Sequence, residues 1–278
     1  MEKQETEQQN NDSDPLTGLL PITHDQLKGY FWKRPDTYDF AAKDILSELS
    51  LKEVPLASVN FPITFVKNKN LTFHLAMLQG FVQGENLLVS REGKWLSHFV
   101  PSLYRYHPFV LMQNDQQSLM LYFNNALPLL TKDPDAEPFY RDENQPADLV
   151  QQAFNGLVER WQGVSQLLSL VQQLDDSKLI VPWDISIKRS ENQVKVEGLY
   201  RIDESILSTL SADDLIKLRD SGALTLAYCQ MLSMNNLHRL IQLDSERQNK
   251  PSPPSASVSE DTLVFGHETD AGLNFDNI

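Results

Sequence analysis

FPITFVKNKNLTFHLAMLQGFV (61–82) decides the fold. Residues 61–67 and 71–82 are rich in apolar and β-branched side chains, and the polar residues 68–70 divide them. Two such runs across a short polar break read as an antiparallel hairpin. Only His74 and Gln79 interrupt the second run strongly. That predicts a strand covered on both faces, or one that is bulged.

Outward from this hairpin the same texture continues. ENLLVSR (85–91), PFVLMQ (108–113) and SLMLYF (118–123) read as further strands, with polar breaks at 83–84 and 114–117. The texture then changes. Pro146 suits the first turn of a helix. Val150, Phe154, Leu157, Trp161, Val164, Leu168, Val171 and Leu174 follow at three- and four-residue intervals. They predict one amphipathic helix of about 28 residues, on the order of 40 Å long. KLIVPWDISIK (178–188) and QVKVEGLYRI (193–202) read as a second hairpin turning at 190–192. Ser211, with Asp214 three residues on, caps a helix that Gly222 ends. A last helix over 223–243 is apolar at Leu224, Ala227, Tyr228, Met231, Leu232, Leu237, Leu240 and Ile241, a stripe broad enough for a place in the core. The fold class is α+β: an antiparallel, strand-rich N-terminal half packed on a C-terminal helical part that carries a β-hairpin.

One globular domain is expected over 16–245. Residues 1–15 are polar and read as disordered, as does the acidic tail 246–278. Within that tail Leu263, Val264, Phe265, Leu273, Phe275 and Ile278 stand among acidic residues, which suits a loosely docked tail or a short recognition segment. The N-terminus has neither the basic start nor the apolar stretch of a Sec signal, and no apolar run reaches the ~18 residues of a membrane helix. The expected compartment is the cytoplasm, with export by a C-terminal signal left open.

The formal net charge is −14. With no basic stripe to offset it, nucleic acid and anionic membrane surfaces are poor partners. The single cysteine, Cys229, lies in an apolar run and reads as a small buried hydrophobe. No phosphate-binding glycine loop, HExxH, GxSxG or SxxK occurs, so no catalytic residue is assigned. His74 reads as a satisfied structural histidine. Asp133, Asp135 and Glu137 start like a calcium loop, but Pro138 stands where that loop needs glycine, so they read as a solvated linker. No metal ligand or cofactor is expected.

Two segments are unusual. GKWLSHFVPSLYRYHPF (93–109) interleaves Trp95, Tyr104 and Tyr106 with Arg105 and two histidines, His98 and His107. Such a segment either stacks and hydrogen-bonds a ligand or peptide, or plugs the core while Arg105 pairs with a carboxylate. Ser233, Asn235 and Asn236 are small polar residues inside the last helix, where they oppose helix propensity. They either satisfy neighbouring loops or line a site. The candidate binding residues are Trp95, Arg105, His107, Ser233 and Asn236. Trp95, Arg105 and Asn236 are expected to share one neighbourhood.

GENLLVSREGKWLSHFVPSLYRYHPFVL (84–111) resembles the signature of SapC-like proteins, GxNLFVxxxGxWxAxYIPAxxRRYPF. The likeness runs through Gly84, Asn86, Leu87, Gly93, Trp95, Pro101, Arg105, Pro108 and Phe109. His107 stands where the family usually has Tyr, and Tyr106 where it has Arg. VPLASVNFPITFV (54–66) is similar to an upstream family element, with Asn60 in its acidic place. Residues 19–42 and 199–240 resemble the family's terminal blocks. The family is named from a bacterial surface-layer locus, and its genes tend to neighbour halogenase-like, cupin-like and TonB-receptor genes. The resemblance implies a non-catalytic binding or accessory protein with a protein or peptide partner in a cell-envelope system. The alternative is an enzyme or accessory subunit of a peptide- or small-molecule-modifying pathway.

Overall fold

The computed structural model describes residues 18–114, 116–142, 145–189, 192–249 and 262–264. The expected disordered N-terminus, most of the tail and the start of the 190–192 turn lie outside the described residues. The chain divides into two compact units, one of Met1–Arg34 with Pro108–Gln151, the other of Pro35–His107 with Gln152–Ile278.

In the smaller unit, Phe109–Gln113 and Leu119–Asn124 form a hairpin in register from Phe109↔Phe123 to Gln113↔Leu119. Asn114 Oδ1 accepts from the amides of Gln116 and Ser118, which fixes the turn. Leu19–Pro21 adds a third strand. Phe109, Phe123 and Phe139 gather around Trp32, with Phe109 edge-on to the indole at 4.8 Å. The Asp133 carboxylate accepts from the Asp135 amide, and Glu137 pairs with Arg34 at 3.3 Å, so this stretch is a surface loop running into a short strand.

The larger unit has strands β1 (Leu46–Glu48), β2 (Ile63–Lys67), β3 (Phe73–Leu78), β4 (Ile180–Pro182), β5 (Ile185–Arg189), β6 (Asn192–Glu197), β7 (Tyr200–Ile202) and β8 (Thr262–Val264). Its helices are α1 (Val54–Asn60), α2 (Asp148–Asp176), α3 (Glu204–Ser208), α4 (Ala212–Ser221), α5 (Ala223–Ser233) and α6 (Leu237–Asn249). The central sheet has the order β4-β7-β2-β3-β1 with every pairing antiparallel.

The deciding stretch forms β2 and β3, paired from Ile63↔Met77 to Lys67↔Phe73. Asn68 Oδ1 accepts from the amides of Asn70 and Thr72 and so closes the turn. All of β3 is buried, as expected for a strand covered on both faces. Its side chains join a core with Leu167, Val171 and Leu174 of α2 and Leu226 and Ala227 of α5.

Two readings change. Residues 85–91 do not form a ladder strand; only Val89 bridges Trp95. Asn86 turns inward there and donates to the Ala41 carbonyl, while Arg247 takes the carbonyls of Asn86 and Val89. The backbone groups a ladder would use are already bound. Residues 178–202 are one hairpin shared by two sheets. β4 pairs β7 in the central sheet and β5 pairs β6 outside it. The bend falls at Trp183 and Asp184 on one arm and at Gly198 on the other, whose φ of +82° needs a residue without Cβ.

Ser211 caps α4 as expected, accepting from the Asp214 amide at 3.1 Å, and Gly222 ends it at φ +95°. The last helix passes through a tighter 3₁₀ turn at Met234–Asn236 and continues as α6. On α2 the apolar stripe contains one charge. Arg160 is buried and donates to Glu48 Oε2 at 2.8 Å, and His74 Nδ1 lies 3.8 Å from Glu48 Oε1.

β7 meets β2 through a single Cα pairing, Tyr200↔Phe65. Side chains complete the joint. Thr64 Oγ1 donates to the Tyr200 carbonyl at 3.0 Å. Gln230, fully buried on α5, donates to the Ile63 carbonyl at 3.0 Å and accepts from the Ile202 amide at 2.9 Å. Gln230→Leu leaves both backbone groups buried without partners, at about 1–3 kcal/mol each. The expected loss is about 2–6 kcal/mol, read as a lower urea midpoint at unchanged slope. An unaltered midpoint contradicts this role.

Candidate functional site

The part of segment 93–109 in the larger unit, residues 93–107, folds over a floor of buried polar side chains. Gln79 and Asn86 are both fully buried. Asn86 Oδ1 accepts from the Leu88 amide at 2.9 Å, and Gln79 donates to the Tyr104 hydroxyl at 2.8 Å. Glu53 holds the start of the helical turn Ser102–Arg105. Its Oε1 accepts from the Ser102 amide at 2.6 Å while Oε2 takes both the amide and the hydroxyl of Ser50. A buried carboxylate is retained when its lone pairs are filled in this way.

On that floor stand four rings in a closed circuit. Tyr38 meets Phe40 at 5.8 Å and Trp95 at 5.6 Å; Tyr104 meets Trp95 at 5.6 Å and Phe40 at 6.0 Å. Tyr104 is buried, and the other three are half-buried. His107 stacks on Phe40, with centroids 3.8 Å apart and planes 8° from parallel. Trp95 Nε1 donates to the Phe99 carbonyl at 2.7 Å, which fixes the indole plane. Arg105 is exposed; it donates to the Val100 carbonyl at 2.9 Å, and no carboxylate among the described residues pairs with it.

Three groups are electrostatically unusual. Burial raises the Asp44 carboxyl above its ordinary range, against a hydrogen bond from Tyr104 that lowers it. Burial also pushes the Tyr104 phenol well up, and the Asp44 charge adds to the effect. Each of these two accounts in part for the other, as a buried phenol–carboxyl pair does. Burial lowers the His107 imidazole to about 4, so the ring is neutral near pH 7.

The structure gathers Trp95, Arg105 and His107 into this one region. Ser233 and Asn236 serve a different task. Ser233 Oγ accepts from the Ile63 amide at 2.9 Å and donates to the Gln230 carbonyl, and Asn236 Nδ2 donates to the Ser58 carbonyl at 2.8 Å. Among the described residues no hydrogen bond or ring contact joins either to Trp95, Arg105 or His107. Phe61, whose carbonyl Asn236 also reaches at 3.3 Å, lies 6.0 Å from the Phe99 ring, one step removed from Trp95.

Sequence reasoning missed Tyr38, Phe40 and Gly156. Two aromatics in DTYDF (36–40) were the available signal. Gly156 on α2 is tied to Tyr106: a Cβ there would lie 2.1 Å from the Tyr106 hydroxyl. Tyr106 therefore rests on bare helix backbone. Among the described residues no three His, Cys, Asp or Glu side chains gather as a metal site needs. No described helix is long and apolar enough to cross a membrane.

The molecule is thus an α+β protein with a rigid, half-buried aromatic shelf and an exposed guanidinium beside it. The SapC family model matches residues 21–240, and the chain belongs to the SapC family. No curated protein and no solved structure matches it.

His107 sets a pH dependence. Its folded pKa of about 4 lies below the ordinary 6.5. The unfolded chain therefore binds the proton more readily, and stability is lost as pH falls from 6.5 towards 4. The contribution is on the order of 2 kcal/mol, allowing for the solvent that reaches a half-buried ring. His107→Phe should flatten the denaturation midpoint across that window. Equal slopes in the two proteins contradict it.

Proposed function

We propose that this chain is a non-catalytic binding or accessory protein of a bacterial surface-layer or envelope-associated system, working in the cytoplasm. It captures a protein or peptide partner on the aromatic shelf. The observation that carries this reading is Arg105, exposed beside half-buried aromatic faces and without a carboxylate partner among the described residues. A planar guanidinium fork suits a carboxylate, and rings already fixed in place lose little entropy on binding. The floor beneath supports the same reading. Gln79 and Glu53 are engaged in holding the loop, and Asn86 is engaged with Ala41 and Leu88. The link to envelope systems rests on what family membership suggests.

Affinity capture from the native cell with wild type, Arg105→Ala and Trp95→Ala tests this. Arg105→Ala should reduce partner recovery by about 10- to 100-fold, the equivalent of one charge-assisted hydrogen bond. Its thermal midpoint should move little, because the side chain is exposed. Recovery of the same partners at the same yield by both variants contradicts the assignment.

A further inference from the structure

The β5–β6 hairpin stands outside the central sheet, and its two edges are treated differently. β5 pairs β6 antiparallel from Ile185↔Val196 to Arg189↔Asn192. The opposite edge of β6 receives β8 in parallel, with Lys195↔Thr262, Val196↔Leu263 and Glu197↔Val264 in register. An isolated hairpin leaves such an edge as an open template for another strand.

We propose that the outer edge of β6 is a strand-addition site whose resident ligand is the chain's own C-terminal segment, Thr262–Val264. Main-chain hydrogen bonds supply the attachment in this mode of recognition, and composition supplies selectivity. This surface is separate from the aromatic shelf, and nothing in its argument uses Arg105 or Trp95.

Three observations fix the occupant. The first is tethering. α6 ends at Asn249, and its Asp244 is ion-paired to Arg189 of β5, so the chain leaves the helix beside the hairpin. Residues 250–261 then span at most about 40 Å. A tether of that length holds the segment at an effective concentration on the order of millimolar. The second is charge. Val194 and Val196 are buried, while Lys188 and Lys195 are exposed on the hairpin. The tail from Val258 to the end carries Glu260, Asp261, Glu268, Asp270 and Asp276 and no Lys or Arg. Lys195 already pairs with Glu197 at 3.0 Å, so in a chain of net charge −14 it is Lys188 that offers the acidic tail a cation within reach. The third is the ladder itself. Three residues in parallel pairing make a weak attachment. The strand is therefore exchangeable, and an extended acidic peptide that matches the register displaces it.

The test uses the full chain. Hydrogen exchange is followed over Asn192–Glu197 in wild type, in Leu263→Pro, which removes a backbone donor from β8 and disfavours the extended φ of a strand at that position, and in a Val258→Pro control. Leu263→Pro should speed exchange of that segment by about tenfold with the far-UV spectrum unchanged, whereas Val258→Pro should not. A synthetic peptide of residues 258–268 should restore protection to Leu263→Pro, and a labelled copy should bind wild type more weakly than Leu263→Pro because the resident strand competes. Equal protection in wild type and Leu263→Pro overturns the proposal. Protection in wild type that rises with protein concentration overturns it too, by assigning the strand to a second copy.

Discussion

A buried amide bridges the weakest joint in the larger unit's central sheet. Between β7 and β2 the backbone ladder is reduced to one residue pair, yet Ile63 and Ile202 lie at the heart of the core. Gln230 takes the place of the missing strand bonds, giving to one side of the joint and accepting from the other. A glutamine side chain has the same donor and acceptor as a peptide unit, which lets a helix stand in for a strand. Ser233, one turn on, takes the Ile63 amide. The last helix is therefore part of the sheet's hydrogen bonding as well as its cover.

The same solution recurs at the other buried charges and amides. Glu53, Asn86 and Gln79 each bind backbone or hydroxyl groups of the segment they hold. Arg160 and Glu48 are the costlier version. An ion pair inside an apolar stripe contributes little net stability, but losing either partner leaves a bare charge. Such pairs restrict how α2 can lie on the sheet. The aromatic shelf inherits that rigidity, because Tyr106 of the same loop rests on Gly156 of the same helix.

Periodicity and local capping were legible in the sequence. The hairpin at 61–82, the Ser211 cap and the Gly222 stop all depend on neighbours a few residues away. Residues 85–91 were misread because their composition is strand-like, while the groups that claim their backbone come from Arg247, far along the chain. The hairpin over 178–202 was legible but its bend was not, because nothing in WD (183–184) or Gly198 announces a change of sheet. Part of the site was legible for a related reason. Trp95, Arg105 and His107 lie in one segment, whereas Tyr38 and Phe40 reach it only through the fold. Ser233 and Asn236 read as serving neighbouring loops or lining a site, and the backbone groups they bind include ones 178 residues away for Asn236 and 170 for Ser233.

The Gln230 joint also sets a timetable for synthesis. Ile63 and Gln230 are separated by 167 residues. At about 5–20 residues per second, β2 waits on the order of ten seconds or more for the amide that completes it. Throughout that interval β2 and β3 form a hairpin with an unsatisfied apolar edge, the kind of surface on which nascent chains aggregate. The protein's greatest exposure to misassembly thus falls before its last helices emerge from the ribosome.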